Sequence, residues 1–219
     1  MSHRAYYEDV FASALEVAGP EFIAYQQNTD PNTFDHQIAT GAMTVEVLAL
    51  HGFDAAVRRL GAVAGAFHDA GKYHPQIQEL MASGEGRVFS DAERTLMATH
   101  AQKGYDRILG LDSGYIPELK TAAFTALHHH DRFTPDSYNQ HSGMMGLAHL
   151  VQICDIGHAR LFDQSRTYRA ARDGTWLTPA TIGRQMLEQF VSFPPVIFGT
   201  TIRVDEVIQR WQHEAEAGL

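Results

Sequence analysis

Apolar positions recur at helical spacing along almost the whole chain, and few stretches show the alternation of a half-buried strand. Residues 4–17 read as a first short helix, ended by Gly19-Pro20. A polar run, QQNTDPN, leads into a longer helix from about Thr33 to Leu50, whose stripe is Ile38, Ala42, Val45, Leu48 and Ala49. Asp54 is placed to cap a third helix, 55–69, which Gly71 can stop. Ser90-Asp91-Ala92-Glu93 has the capping-box pattern and predicts a helix from 91 to about 109 with His100 in its middle. A short helix near 118–130 ends in three histidines, and residues 133–142 read as a loop. Residues 143–163 are a strongly apolar helix that includes Asp155. Thr178-Pro179 opens a helix to about Val191. FPPVIFGTTIRV reads as a short extended segment before a final amphipathic helix, 204–217. The architecture expected is an all-α bundle.

Length and charge narrow the classes. The 219 residues, 44% of them apolar, suffice for one full core, with no internal repeat and no long linker. No window approaches a membrane span, and MSHRAYYEDV lacks the pattern of a secretory signal. The single cysteine, Cys154, excludes an internal disulfide framework and reads as packing. A soluble cytoplasmic protein is the expectation. A net charge of −9 argues against non-specific nucleic-acid binding, but not against a small phosphorylated ligand held by a few local cations.

The chemistry lies among the 13 histidines. His68-Asp69 stands in FHDAGK, with His36 earlier and His100, His128-His129-His130 and Asp155 later. A helical bundle builds a metal site by aiming such side chains inward from facing helices. His36, His68, Asp69, His100, His129, His130 and Asp155 are the candidate ligands, with the choice between His128 and His130 open. Singly, each has a plain explanation: a hydrogen-bonded helix histidine, a helix cap, a solvated helix end. Asp155 is harder to explain that way, because a charge inside GLAHLVQICDIGHA is costly unless paired or bound to metal. Asp69 can bridge two ions, and a hydroxide between them would be a nucleophile at neutral pH. Imidazole-rich, thiol-free ligation suits Mn, Fe, Ni or Zn. Lys72, in the turn after the pair, can meet a phosphate oxygen as a point charge. Arg166 and Arg169 are spaced for one helix face. His149 and His158 share the Asp155 helix and read as supporting partners or core residues. The other histidines lie near the termini, helix ends or turns.

These motifs resemble the HD superfamily of metal-dependent phosphohydrolases, and most closely its HD-GYP branch. HDAGK is similar to that branch's HD-x-G-K, and Thr99-His100-Ala101 through Gly104 to its next histidine helix. LHHHDR resembles HHER with Asp131 in place of Glu, and the segment from Asp155 to Arg166-Thr167-Tyr168-Arg169 resembles A-D-x-x-D-A…R-P-Y-R. The resemblance covers roughly residues 32–172 as a catalytic core, with 1–31 a lead-in and 173–219 a helical extension. It implies an HD-domain bundle with two divalent transition metal ions and a phosphodiesterase acting on a cyclic dinucleotide, cyclic di-GMP. Asp69 and Lys72 would serve catalysis, and Lys72, Arg166 and Arg169 would bind substrate. Two departures stand out. FTPDSYNQ replaces the Gly-Tyr-Pro element, and Asn32 stands where three-metal members carry Glu, which favours two ions. Another nucleotide or an alarmone is the alternative substrate, and a non-cleaving module that binds a ligand or a protein is the alternative class. The helix holding Trp211 leaves a homodimer contact open.

Overall fold

Helix α3, Pro31–Leu50, forms the axis of the molecule, and nearly every residue from Thr33 to Leu48 on it is buried. A helix covered on all sides must be packed by neighbours all round. A computed structural model describes residues 3–84, 89–111, 114–131, 138–162 and 177–218, and shows an all-α bundle. A 3-10 turn, His3–Tyr6, leads into α1, Tyr7–Ala18, and α2, Pro20–Thr29, precedes α3. The first-helix expectation holds, but α2 falls partly in the polar run expected to be a lead-in. Its Phe22, Ile23 and Gln26 are buried, and Pro20 starts this helix as well as following the end of α1. Asp30 then caps α3, accepting from the Thr33 amide at 2.9 Å.

Asp54 caps α4, Ala55–Phe67, accepting from the Val57 amide. This helix stops at Phe67 and not at residue 69, so His68 and Asp69 occupy the turn before a 3-10 segment, Ala70–Tyr73. Helix α5, Pro75–Gly84, follows. Ser90 and Glu93 make the expected reciprocal capping box at the start of α6, Asp91–Ala98. The single helix expected over 91–109 is broken at Thr99, and His100 opens α7, His100–Leu109, instead of standing mid-helix. Helix α8, Pro117–His128, ends with His129 at its C-cap. Helix α9, Tyr138–Gly157, starts five residues before the expected 143 and passes into a π-helical turn, His158–Phe162. Thr178 caps α10, Pro179–Phe190, as expected. The extended segment is a small antiparallel pair, β1 Val196–Ile197 with β2 Thr200–Thr201, followed by α11, Val204–Glu216.

Two apolar clusters flank α3. Ile38, Ala42 and Val45 belong to one cluster with residues of α1, α4 and α8, while Met43, Val47 and Leu48 belong to the other with residues of α9, α10 and α11. Glycines let the helices of the first layer approach closely. A Cβ on Gly65 would lie 2.5 Å from the Gly41 Cα, so α3 and α4 cross in backbone contact. A Cβ on Gly71 would lie 1.9 Å from the His100 carbonyl oxygen and 2.6 Å from the Gly104 nitrogen, so the turn after Asp69 is clamped to α7. These two crossings bring His36, His68-Asp69 and His100 to one place. Cys154 is buried in the second cluster, as its packing role requires, and burial pushes its thiol up. No helix among the described residues is long and apolar enough to cross a membrane.

Candidate metal centre

Three histidines share one local device. The ring Nδ1 of His68 donates to the Gly65 carbonyl at 2.7 Å, that of His100 to Met97 at 2.7 Å, and that of His129 to Ala126 at 2.9 Å. In each case the acceptor lies three residues back, where a helix or its last turn exposes a carbonyl. A carbonyl only accepts, so Nδ1 carries the proton, and a neutral ring presents Nε2 as a lone pair. All three Nε2 atoms converge on Asp69. His100 and His129 stand 3.3 and 3.6 Å from Oδ1, and His68 stands 3.4 Å from Oδ2.

Lone pairs facing a carboxylate repel one another unless a cation lies between them. The distances suit that arrangement better than direct hydrogen bonds, which center near 2.9–3.0 Å for N–H···O. Two donors each about 2.1 Å from one ion stand about 3.0–3.4 Å apart at coordination angles near 90–110°. The Nε2 atoms of His68 and His129 and Oδ1 of Asp69 are buried with no hydrogen-bond partner, which is costly for each. A donor set of imidazoles and carboxylates, preorganised and under-satisfied in this way, fits a divalent transition metal.

The remaining expected ligands complete two groups that share Asp69. His130 sets its Nε2 3.1 Å from that of His100, and with His129 and Asp69 these form one cluster within 4.8 Å. His36 and His68 gather with Asp69, and His68 and His129 with Asp155, in two further clusters of the same tightness. His36 Nε2 meets Asp155 Oδ1 at 2.9 Å, and His68 Nε2 lies 3.7 Å from the same oxygen. Either group can hold an ion, with Asp69 between them. His128 turns away: its Nδ1 meets the exposed Asp131 carboxylate at 2.7 Å, so the pair brought into the cluster is His129 and His130. His130 is exposed while His36, His68, Asp69, His100 and His129 are buried, so the centre opens to solvent on the His130 side.

Electrostatics express the same surplus of negative charge. Burial acts to raise the Asp69 carboxyl, but Lys72 and His68 outweigh it and hold it well below the usual range. Asp155 is also held low, burial being overcome by the His36 and His68 contacts. Burial works against a charged His68, yet Asp69 and Asp155 together hold it up at about 10. A proton on His68 is thus one way of supplying the cation these carboxylates demand, and a metal ion is a stronger one. His129 is pushed down by its burial, with the neighbouring His68 and His100 adding to the effect. Lys72 ion-pairs with Asp69 Oδ2 from the rim of the centre.

Sequence reasoning left His158 undecided. Its Nδ1 meets His36 Nδ1 at 2.8 Å, which leaves His36 Nε2 for the centre. The signal lay in its spacing: His158 follows Asp155 by three residues and so shares its side of the helix. Its ring sits where α9 loosens into the π-helical turn, a distortion often found at functional sites. Arg166 and Arg169, the expected substrate contacts, lie outside the described residues. No protein family, curated protein or solved structure matches this chain.

Proposed function

We propose that this protein is a two-metal phosphohydrolase that cleaves phosphodiester bonds, with a cyclic dinucleotide as its substrate. The supporting observation is the shared Asp69 carboxylate, on which three histidines with fixed tautomers converge from the ends of α4 and α8 and the start of α7. One ion would be held by His36, His68, Asp69 and Asp155, and the other by Asp69, His100, His129 and His130. When bound, such ions supply a water-derived nucleophile at neutral pH and offset charge on the phosphoryl oxygens. Mn, Fe, Ni and Zn all suit the donors.

The chain's own residues do the rest. The carbonyls of Gly65, Met97 and Ala126 fix the rings so that no reorientation is needed on binding. Lys72 stands at the rim with 14% of its side chain exposed, where its ammonium can meet a non-bridging phosphate oxygen while steadying Asp69. Arg166 and Arg169 would hold the guanine or the second phosphate in this reading, following the resemblance. The buried lone cysteine fits a reducing cytoplasm.

FTPDSYNQ, in place of the Gly-Tyr-Pro element, favours a second reading in which the same centre acts on another phosphorylated nucleotide. A substrate panel with Mn-loaded protein decides between them. Cyclic di-GMP converted to pGpG or GMP supports the first reading. Turnover confined to other nucleotides supports the second. Tight nucleotide binding without product in the loaded protein would overturn the enzymatic reading in favour of a binding module.

A further inference from the structure

Beside the candidate metal centre, Lys103 and Arg107 meet neutral groups and form no carboxylate ion pair among the described residues. Elsewhere several arginines are neutralised: Arg59 by Glu16 and Glu118, Arg94 by Asp91, Arg203 by Glu206 and Arg210 by Glu46. On α7 the pattern changes. Lys103 Nζ lies 3.4 Å from His74 Nε2, and Arg107 Nη1 lies 3.5 Å from the neutral Tyr73 carbonyl. The Arg107 guanidinium stacks 4.6 Å from the centre of the Tyr25 ring and 5.2 Å from that of Phe22. Tyr25 remains 41% exposed, its hydroxyl donating to the Tyr73 carbonyl at 3.2 Å. His74 is pushed down, by burial first and then by the Lys103 and Arg107 charges, so the like charges are felt within the cluster.

The cluster is continuous with the metal centre. His100, Lys103 and Arg107 share one face of α7, with Lys103 about 4.5 Å and Arg107 about 10.5 Å further along the axis than His100. The segment Asp69 to His74 runs beside that face, clamped by the Gly71–Gly104 approach. Asp69 meets His100 at one end, and His74 meets Lys103 at the other. Two cations without a carboxylate partner, Lys103 and Arg107, favour an arriving anion, and a guanidinium stacked on a part-exposed tyrosine suits a phosphate in a ligand that also carries a planar base.

We infer that His74, Lys103 and Arg107, with Tyr25, form a second subsite for the phosphate next to the one at the metals, so that the substrate carries at least two phosphates. This inference rests on the proposed phosphodiesterase reading and deepens it by placing the second phosphate of a dinucleotide on described residues. In Mn-loaded full-length protein, Lys103→Glu is expected to lower kcat/KM for cyclic di-GMP about tenfold more than for bis(p-nitrophenyl) phosphate, which has one phosphate. Lys103→Arg should restore most of the loss, and Arg107→Gln should repeat it. An equal fall for both substrates, or none for cyclic di-GMP, overturns the subsite and leaves the enzymatic reading standing. If wild-type protein cleaves neither compound, equilibrium binding of radiolabelled cyclic di-GMP decides. Wild-type binding weakened about tenfold by Lys103→Glu keeps the subsite while the enzymatic reading fails. Absent or unchanged binding overturns the subsite.

Discussion

His129 faces Asp69 across 3.6 Å with its only neutral-ring proton committed elsewhere, to the Ala126 carbonyl at 2.9 Å. A buried lone pair and a buried carboxylate oxygen therefore confront each other. His68 and His100 repeat that geometry around the same side chain, an arrangement that could hold a metal ion.

His158 supports the centre through His36 and does not face Asp69. His158→Ala is expected to weaken metal affinity about 10- to 100-fold, the usual size for losing a residue that orients a ligand. Competition with a fluorescent chelator reads this out, and His158→Asn should recover part of it. Unchanged affinity would remove His158 from the site.

Gly71→Ala should destabilise the protein by about 3 kcal/mol or more, because the new methyl would meet the His100 carbonyl and the Gly104 nitrogen, both backbone atoms. The same clash pushes His100 from Asp69, so the variant should also bind metal more weakly. Thermal unfolding and metal titration of one preparation test both effects. A stable variant with full metal affinity would show that the clamp is dispensable.

The fold and much of the site were legible in the sequence, for separable reasons. Local signals at Asp54, Ser90-Glu93 and Thr178 gave correct helix starts because a cap is a contact over three residues. Helix ends near the site were misjudged because tertiary geometry sets them. Thr99 breaks the expected 91–109 helix so that His100 can open α7 against Gly71, and no local pattern announces that approach. Helix α2 was hidden by a polar run whose Gln26 is buried. The ligand candidates were readable from residue type and order, whereas their fixed tautomers and the inward role of His158 depend on contacts. The cluster around Lys103 was invisible because Tyr25 and His74 come from other parts of the chain than Lys103 and Arg107 on α7.

Helix α11 is tied to α3 by a buried charge. Trp211 Nε1 donates to Glu46 at 3.3 Å, and Arg210 Nη2 lies 3.0 Å from its other oxygen. Burial raises the Glu46 carboxyl, and Arg210 opposes the rise. Arg210→Ala should cost about 2 kcal/mol, below the range for a wholly buried pair because Arg210 is 30% exposed. Its loss raises the folded-state pKa of Glu46 further above the unfolded value, so this cost should grow as pH rises above the unfolded value. Adding Glu46→Gln should recover stability, since the amide oxygen still accepts from Trp211. Urea unfolding of the single and double variants checks this, and a double variant less stable than Arg210→Ala would contradict it.

Acid should weaken the fold through His149. Its ring is buried, stacked on Phe193 at 5.8 Å, and burial pushes it down to about 4. A histidine lowered on folding contributes stability that is complete above its unfolded value near 6.5 and is lost as pH falls toward the folded one. His149→Phe should therefore flatten the decline between pH 6.5 and 4 by up to about 3 kcal/mol. An unaltered pH profile in the variant would exclude His149 as a source of acid sensitivity.

The most direct test of the account is metal content, measured by elemental mass spectrometry on anaerobically reconstituted wild-type and Asp69→Asn proteins. The substitution keeps the shape of the side chain and removes its charge. Two ions per wild-type chain are expected, and little or none in a variant that still unfolds cooperatively. Two ions in both proteins, or none in the wild type with Mn, Fe, Ni or Zn, would contradict a centre built on Asp69.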